Sequence, residues 1–354
     1  MDRQALMSRL EENVPDILGK EVWIWGIGNT ARLYQEGLKR IDLFEICGYC
    51  DNNSEYWGKS LYGKQVISPD ELRKHSNVIV LICSPQKEVI QSVGQQLKGL
   101  EIEHYGIAEA VFKLYRSEVM CCYDLLEDQF SKDTYAHIIC CHLANEMPES
   151  RYVRADEEYF WLKQFKMLRN ETFIDCGAFT GDTIEKYIWI KSGYFKRIIA
   201  FEPDTQNYKA MQYRINRLKR EWNLAEDSVK LFCCGVGAEE KAESFVTSGT
   251  MRSMCLNGGV TEEYENIDIV SLDEFVDEPY DFVKVDIEGY EYNMLLGAQE
   301  GIRKNKPIIA ICIYHNAIDM FSLMLYIHKL VPAYKFSVRH HSELLEDTVL
   351  YAYL

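Results

Sequence analysis

Proline and glycine are scarce in this sequence, at 8 and 21 of 354 residues. Together with a hydrophobic fraction of 47%, that scarcity excludes a disordered, collagen-like or low-complexity chain. The sequence also lacks a run of about 20 apolar residues, so we expect no membrane-spanning helix. Residues 1–20 are acidic and polar and show no secretory pattern, which favours a cytoplasmic protein.

An excess of basic residues is missing as well. The chain has 55 Asp and Glu against 39 Lys and Arg, which gives a formal net charge of −16. We therefore expect neither a nucleic acid nor a membrane surface as the main partner, because both are anionic. The 12 cysteines include three adjacent pairs, which do not form a disulfide framework and suit a reducing compartment. The sequence leaves open whether the protein forms a homo-oligomer.

Two α/β patterns follow one another along the chain. In the first, the apolar run 21–25 leads into Gly-Ile-Gly and a helical pattern, and further apolar runs lie at 46–50 and 77–83. Strands that alternate with helices are typical of a parallel, doubly wound sheet. We therefore predict a Rossmann-like domain over residues 1–112.

Gly26, Gly28, Asn29 and Asp51 form the candidate ligand site of this first domain. Glycines after the first strand let a phosphate approach a helix N-terminus, and an acid at the end of the second strand can accept ribose hydroxyls. The candidate ligands are NAD(P) and a nucleotide sugar. The alternative is a domain of the same fold that serves packing or dimerisation.

A helical connector is predicted over residues 113–168. Apolar residues recur there at helical spacing in three stretches, 118–130, 133–146 and 155–168. The pattern is too regular for a flexible linker, so we expect the two α/β domains to be joined by packed helices.

The second α/β domain is predicted over residues 169–354. Its apolar runs predict five strands, at 171–175, 197–201, 229–234, 281–286 and 307–313. Two final strands, 334–339 and 348–353, are separated by only eight residues. A parallel crossover needs about a dozen residues or more, so the final pair forms an antiparallel hairpin. A parallel sheet that ends in such a hairpin is the outline of a class I methyltransferase.

The first strand of this domain runs into the pattern D-x-G-x-x-x-G, which places Asp175 before Gly177 and Gly181. A carboxylate there repels a pyrophosphate but suits the ammonium and sulfonium groups of S-adenosylmethionine (SAM). Glu202, after the second strand, is placed to accept hydrogen bonds from two ribose hydroxyls. We predict a SAM site at this edge of the sheet, where open α/β sheets bind ligands. Its other predicted members are Ala178, Asp182, Thr183, Pro203, Gly235 and Val236.

Six motifs in this order resemble those of FkbM-type methyltransferases. They are FIDCGAFTGDT (173–183), FEPD (201–204), SLDEF (271–275), FVKVDIEGYE (282–291), LLGA (295–298) and a tail that begins with IYH (313–315). The resemblance covers residues 169–354 and extends to EYF (158–160) in the connector. It implies a SAM-dependent O-methyltransferase acting on a hydroxyl of a small molecule, a sugar or glycan, or a natural product. The first domain resembles, more loosely, Rossmann-like modules that accompany enzymes of surface-sugar and natural-product assembly.

Asp286, Glu288 and His315 are the candidate catalytic residues, at the ends of the fourth and fifth strands. Methyl transfer is an in-line displacement in which the acceptor oxygen is aligned and loses its proton. We expect Asp286 to orient the cofactor or the acceptor, and His315 or Glu288 to accept the proton. The leading prediction is that no metal is bound, although the three residues would suit Mg²⁺ or Mn²⁺.

Two other functions remain open. One is a fusion of an NAD(P)-dependent oxidoreductase or epimerase with a methyltransferase, in which the first domain would be catalytic. No convincing catalytic Tyr/Lys pair follows Gly28 within residues 1–112, which argues against this function. A non-catalytic nucleotide-binding assembly protein would have degenerate pockets. The intact set of Asp175, Gly177, Gly181 and Glu202 argues against it.

Overall fold

The computed structural model describes residues 2–41, 44–154, 157–246, 254–255 and 264–354. The N-terminal part contains a sheet with strands β1 (Glu21–Trp25), β2 (Ile46–Cys50), β3 (Ser60–Leu61), β4 (Lys64–Ile67), β5 (Val78–Ile82) and β6 (Glu103–Gly106). The strand order is β3-β4-β2-β1-β5-β6, and every neighbouring pair is parallel except β3 and β4. The helices around this sheet are α1 (Arg3–Glu11), α2 (Asn29–Ile41), α3 (Pro69–Leu72) and α4 (Lys87–Gly99).

The predicted strands of the first domain are present, but the sequence did not indicate β3, β4 or β6. The central strands β1 and β5 are apolar and almost wholly buried, which is why their pattern is clear. Strand β6, at the edge of the sheet, reads Glu-His-Tyr-Gly and has no apolar run. Edge strands of this kind carry little periodic signal.

The connector consists of α5 (Ile107–Leu114), α6 (Arg116–Leu125), α7 (Gln129–Ala144) and the short α8 (Lys163–Met167). Helix α7 begins after Asp128, whose Oδ1 accepts a hydrogen bond from the Ser131 amide at 2.8 Å. The predicted third helix, 155–168, is wrong except for α8; residues 155 and 156 lie outside the described residues. Glu157 has φ of +58°, a left-handed backbone conformation that a right-handed helix cannot pass through.

The C-terminal part completes the chain with strands β7 (Thr172–Cys176), β8 (Arg197–Phe201), β9 (Val229–Phe232), β10 (Gly235–Val236), β11 (Lys241–Val246), β12 (Met254–Cys255), β13 (Tyr264–Val270), β14 (Phe282–Val285), β15 (Ile308–Cys312), β16 (Lys335–His340) and β17 (Thr348–Tyr353). Its helices are α9 (Asp182–Ile190), α10 (Thr205–Glu221), α11 (Leu272–Phe275), α12 (Glu291–Leu296), α13 (Gln299–Asn305) and α14 (Asp319–Leu330). Short 3-10 turns lie at Ser54–Tyr56, Ser150–Tyr152 and Glu226–Ser228.

The main C-terminal sheet has the order β16-β17-β15-β14-β7-β8-β9. Strands β15, β14, β7, β8 and β9 are parallel, and β17 runs antiparallel to both of its neighbours. The predicted hairpin and the α/β fold class are therefore confirmed. The reversed strand is second from the edge, because β17 rather than β16 pairs with β15. A smaller sheet of order β10-β13-β11-β12 was not predicted.

The first domain packs directly on loops of the second. Helix α2 provides the contacts: a Cβ at Gly289 would lie 2.7 Å from Leu33, and the Tyr34 hydroxyl accepts a hydrogen bond from the Ala317 amide at 3.1 Å. At the other end of the helix, Arg40 forms an ion pair of 2.5 Å with Asp319. The loops that follow β14 and β15 are thus held from outside by the N-terminal half. The domain boundaries at 112 and 168 stay predictions.

Nine described cysteines, at exposed and at buried positions, are free thiols: Cys47, Cys50, Cys83, Cys121, Cys122, Cys141, Cys176, Cys234 and Cys312. Burial raises the pKa of several of them, including Cys50 to about 12 and Cys234 to about 12. Across the described parts of the chain, we find no helix with the length and apolar character needed to cross a bilayer.

Replacing Arg40 by Met is expected to lower the free energy of unfolding by about 3 kcal/mol, because it leaves the carboxylate of Asp319 buried without its cation. The side chains of Arg40 and Asp319 are 16% and 1% exposed. The matched control is Arg3→Met, which breaks the exposed Arg3–Asp124 pair and should cost far less, because solvent screens exposed charges. Urea unfolding followed by circular dichroism measures the free energy of unfolding of both variants. Equal losses would contradict a stabilising role for the contact between the two domains.

Candidate active site

A cavity of about 250 Å³ opens at the carboxyl ends of β7, β8 and β14. Nine predicted site residues line it: Gly177, Asp182, Thr183, Glu202, Pro203, Gly235, Val236, Asp286 and Glu288. Four other predicted residues do not reach its wall: Asp175, Ala178, Gly181 and His315. The predicted edge of the sheet is therefore the edge at which the cavity lies.

The loop between β7 and α9 requires glycine for a steric reason. Gly177 has φ of +80°, and a Cβ there would lie 1.8 Å from the carbonyl oxygen of Asp286. Gly181 also has φ of +80° and precedes α9, with its amide donating to the Ala178 carbonyl at 2.7 Å. The backbone of this loop can thus pass tightly beside the end of β14, leaving space above it for a ligand.

Glu202 is a buried carboxylate at the end of the cavity that lies beside β8. Its Oε2 accepts a hydrogen bond from the Phe179 amide at 2.9 Å, and its Oε1 accepts one from the Asp204 amide at 2.9 Å. Burial raises the pKa of Glu202 to about 7, against the opposing effect of these hydrogen bonds. The Asn207 side chain also donates to this carboxylate, and the acceptor capacity that remains can take hydrogen bonds from hydroxyls of a ligand.

Asp175 does not face the cavity, and this corrects the predicted contact with an ammonium or sulfonium group. The residue is fully buried, and its Oδ1 lies 3.3 Å from Nζ of Lys284, its partner in register on β14. Lys284 also donates a hydrogen bond to the Gly177 carbonyl at 2.6 Å. Burial raises the pKa of Asp175 to about 6 despite the neighbouring ammonium. Asp175 therefore holds Lys284 beneath the glycine loop.

Asp286, Glu288 and His315 are brought together, as predicted, at the other end of the cavity. Nε2 of His315 lies 3.6 Å from Oδ1 of Asp286 and 3.5 Å from Oε2 of Glu288. On the opposite side of the ring, Nδ1 lies 3.1 Å from Oε1 of Glu291, which the sequence did not single out. The Tyr159 hydroxyl donates to Oδ2 of Asp286 at 3.0 Å.

The surroundings of His315 argue against its predicted role as proton acceptor. Burial lowers the pKa of the imidazole, but Glu291, Glu288 and Asp286 outweigh burial and raise it to about 10. A ring that already carries its proton at neutral pH cannot accept another. Burial also acts to raise the pKa of Asp286, yet Lys284, His315 and the Tyr159 hydroxyl hold it below its ordinary value. Of the two predicted acceptors, Glu288 is left.

Several lining residues were not predicted from the sequence. Those with polar or aromatic side chains are Glu158, Tyr159, Phe179, Phe201, Asn207, Lys284, Tyr290, Tyr314 and Asp347. Tyr159 and Asp347 come from the connector and the final hairpin, which only the tertiary fold brings to this edge. Lys284 did leave a signal, because a lysine between two valines of a buried strand needs an anionic partner.

The candidate site of the first domain lies apart from this cavity. Gly26 has φ of +101°, and a Cβ there would lie 2.9 Å from the Cys83 carbonyl, so packing against β5 already accounts for this glycine. Gly28 has open space around it, and Asn29 begins α2. Oδ1 of Asp51 accepts a hydrogen bond from the Asn53 amide at 2.8 Å. Binding of NAD(P) or a nucleotide sugar here stays a prediction.

Comparison with protein families identifies both parts of the chain. Residues 175–342 match the family described as the methyltransferase FkbM domain. Residues 19–108 match the family described as C2185-like, N-terminal. We found no match among curated proteins.

A solved structure of an FkbM methyltransferase shares the fold. The crystal structure of methyltransferase FkbM from Methylobacillus flagellatus KT aligns over 99% of this chain and 98% of its own, with 23% identity and a TM-score of 0.59. An rRNA methylase from Streptococcus thermophilus aligns over 53% and 91%, with 15% identity and a TM-score of 0.32. Fibrillarin from Aeropyrum pernix, with natively bound S-adenosyl-L-methionine, aligns over 52% and 66%, with 11% identity and a TM-score of 0.31.

The order of the strands, the glycine loop and the matched family all indicate a class I methyltransferase domain in the C-terminal part. The match begins at Asp175 and includes the glycine loop, Glu202, the loop after β14 and the first strand of the final hairpin. Residues 175–342 therefore match the methyltransferase FkbM domain, and the chain is a SAM-dependent methyltransferase.

Proposed function

We propose that this methyltransferase transfers the methyl group of SAM to a hydroxyl group of a sugar, a glycan or a natural product in the cytoplasm. One observation carries the proposal: a single cavity joins a cofactor end at Gly177 and Glu202 to an acidic, tyrosine-rich end at Asp286 and Glu288. The first end suits a nucleoside that is joined to an amino acid. The second supplies carboxylates that can accept a proton from a hydroxyl.

At the cofactor end, Glu202 binds the two ribose hydroxyls, and the backbone at Gly235 and Val236 borders the adenosine. The carboxylate that meets the ammonium group of SAM is Asp182, because it lines the cavity at the start of α9 whereas Asp175 is buried beneath Lys284. Thr183, the next residue of α9, borders the same part of the cavity.

At the acceptor end, Asp286 orients the hydroxyl and Glu288 accepts its proton. Asp286 is well suited to orienting, because Tyr159 fixes one of its oxygens at 3.0 Å. Tyr159, Tyr290 and Tyr314 line the same end, and aromatic rings of this kind pack against the apolar faces of sugars. In-line transfer then needs the acceptor oxygen opposite the sulfur of SAM.

Gly177→Ala is expected to weaken binding of S-adenosylhomocysteine (SAH), the product of SAM, by more than about tenfold. The added methyl group cannot fit 1.8 Å from the Asp286 carbonyl, so the loop must move out of its place. Calorimetric titration measures the affinity. The control is Gly28→Ala, which meets no atom within 4 Å and should leave it unchanged; unaltered affinity in Gly177→Ala would refute the assignment of the loop.

Affinity for SAH is expected to fall as the pH decreases through 7. The pKa of Glu202 is raised to about 7, and only the ionised carboxylate can accept hydrogen bonds from both ribose hydroxyls. The affinity for SAH should therefore reach its full value near pH 8 and be about tenfold lower near pH 6. Glu202→Gln should bind weakly and with a flat pH profile. A flat profile in the unaltered protein would contradict the role of Glu202.

Glu288→Gln is expected to lower the rate of methyl transfer by about 100-fold while leaving SAH affinity unchanged, because the variant cannot take up the proton. Transfer of labelled methyl from SAM to a panel of sugars, glycosides and hydroxylated natural products provides the assay. Glu343→Gln, an exposed carboxylate of the final hairpin loop, is the matched control. Full activity in Glu288→Gln would exclude Glu288 as the proton acceptor.

A further inference from the structure

Buried polar atoms converge beside the acceptor end of the cavity without bonding to one another. His315 is 7% exposed, and neither its Nε2 nor Oδ1 of Asp286 has a hydrogen-bond partner among the described residues. The Nε2 distances of 3.6 Å to Asp286 and 3.5 Å to Glu288 are too long for N–H···O hydrogen bonds, which span about 2.7–3.2 Å. Because buried polar atoms nearly always have a partner, these atoms point to a ligand that binds among them.

Asp286, Glu291 and His315 offer ligand atoms that all lie within 4.8 Å of one another, and the distances from Nε2 to Asp286 and Glu288 also suit a metal ion. Around a divalent cation with bonds of about 2.1 Å, neighbouring ligand atoms lie about 3.0–3.4 Å apart, close to the separations seen around Nε2. We propose that Asp286, Glu288 and His315 bind one divalent cation. Two carboxylates and one imidazole form a mixed oxygen and nitrogen set, which suits Mn²⁺ better than Ca²⁺.

Further contacts orient two of these ligands. The Tyr159 hydroxyl holds Oδ2 of Asp286, and Oε1 of Glu291 faces Nδ1 of His315 at 3.1 Å. Glu291 is itself fixed, because the Ile287 amide donates to its Oε1 at 3.0 Å. A carboxylate on Nδ1 is the usual arrangement behind a metal-bound histidine, since it turns Nε2 toward the metal. Tyr159 and Glu291 are therefore positioning residues.

The charge of the cavity also favours a cation. Among the described lining residues, six carboxylates face the single ammonium group of Lys284. Four of those carboxylates, Glu158, Asp286, Glu288 and Asp347, lie at the acceptor end. A divalent cation on Nε2 would take the place of the imidazolium proton and offset more of this charge.

The cation would serve the chemistry of the proposed function, on which its role in catalysis rests. A carboxylate such as Glu288 is a weak base for an alcohol, but an alcohol bound to a divalent cation is much more acidic. The acceptor oxygen then forms its bond to the methyl carbon while the bond from that carbon to sulfur breaks. The electron pair stays on sulfur as SAH forms, and the proton passes to the carboxylate oxygen of Glu288 that does not bind the cation.

Binding of Mn²⁺ to the full chain tests the proposal without an acceptor. After removal of metals with EDTA, titration with Mn²⁺ followed by the electron paramagnetic resonance of free Mn²⁺ should show one ion bound per chain. His315→Gln and Glu288→Gln should each weaken binding by more than about tenfold. Both variants should still bind SAH, which shows that they are folded. If His315→Gln does not fold, Glu288→Gln decides, since its side chain is 23% exposed.

Glu202→Gln is the matched control, because it removes a carboxylate from the opposite end of the same cavity. It should lose SAH affinity and keep Mn²⁺ affinity. Absence of Mn²⁺ binding at about 1 mM, or equal binding in all four proteins, would overturn the cation site and leave the proposed function intact. Normal Mn²⁺ binding in a protein that does not bind SAH would support the cation site and overturn the proposed function.

Discussion

The ammonium group of Lys284 connects the parts of the active-site edge. From the middle of the C-terminal sheet it lies 3.3 Å from the Asp175 carboxylate and donates to the carbonyl of Gly177, so β7, β14 and the glycine loop meet at one buried charge. Without it, Asp175 would be an unpaired anion in the core, which costs several kcal/mol. The position of the loop, and with it the shape of the cavity, depends on this pair.

A second constraint comes from the first domain. Helix α2 packs its Leu33, Tyr34 and Arg40 against the loops that carry Glu288 and His315. The acceptor end of the cavity is therefore supported by a domain that contributes none of the described lining residues. This arrangement gives the N-terminal half a structural role whether or not Gly28 borders a ligand site.

Much of the fold could be predicted from the sequence, because buried parallel strands leave apolar runs and a short final connection requires a hairpin. The position of Glu202 followed from the same logic. The orientation of Asp175 did not, since the register that sets it beside Lys284 is a property of two strands far apart in sequence. The protonation of His315 depends on Glu291, a residue of α12 whose motif gave no hint of its direction.

The central claim is that one cavity binds SAM through Glu202 and Asp182 with the methyl group directed toward Asp286 and Glu288. A crystal structure of the chain with SAH tests it most directly. The account predicts both ribose hydroxyls on Glu202, the ammonium group beside Asp182 and the sulfur facing the acceptor end. SAH bound with its ribose away from Glu202, or its sulfur turned from Asp286, would contradict it.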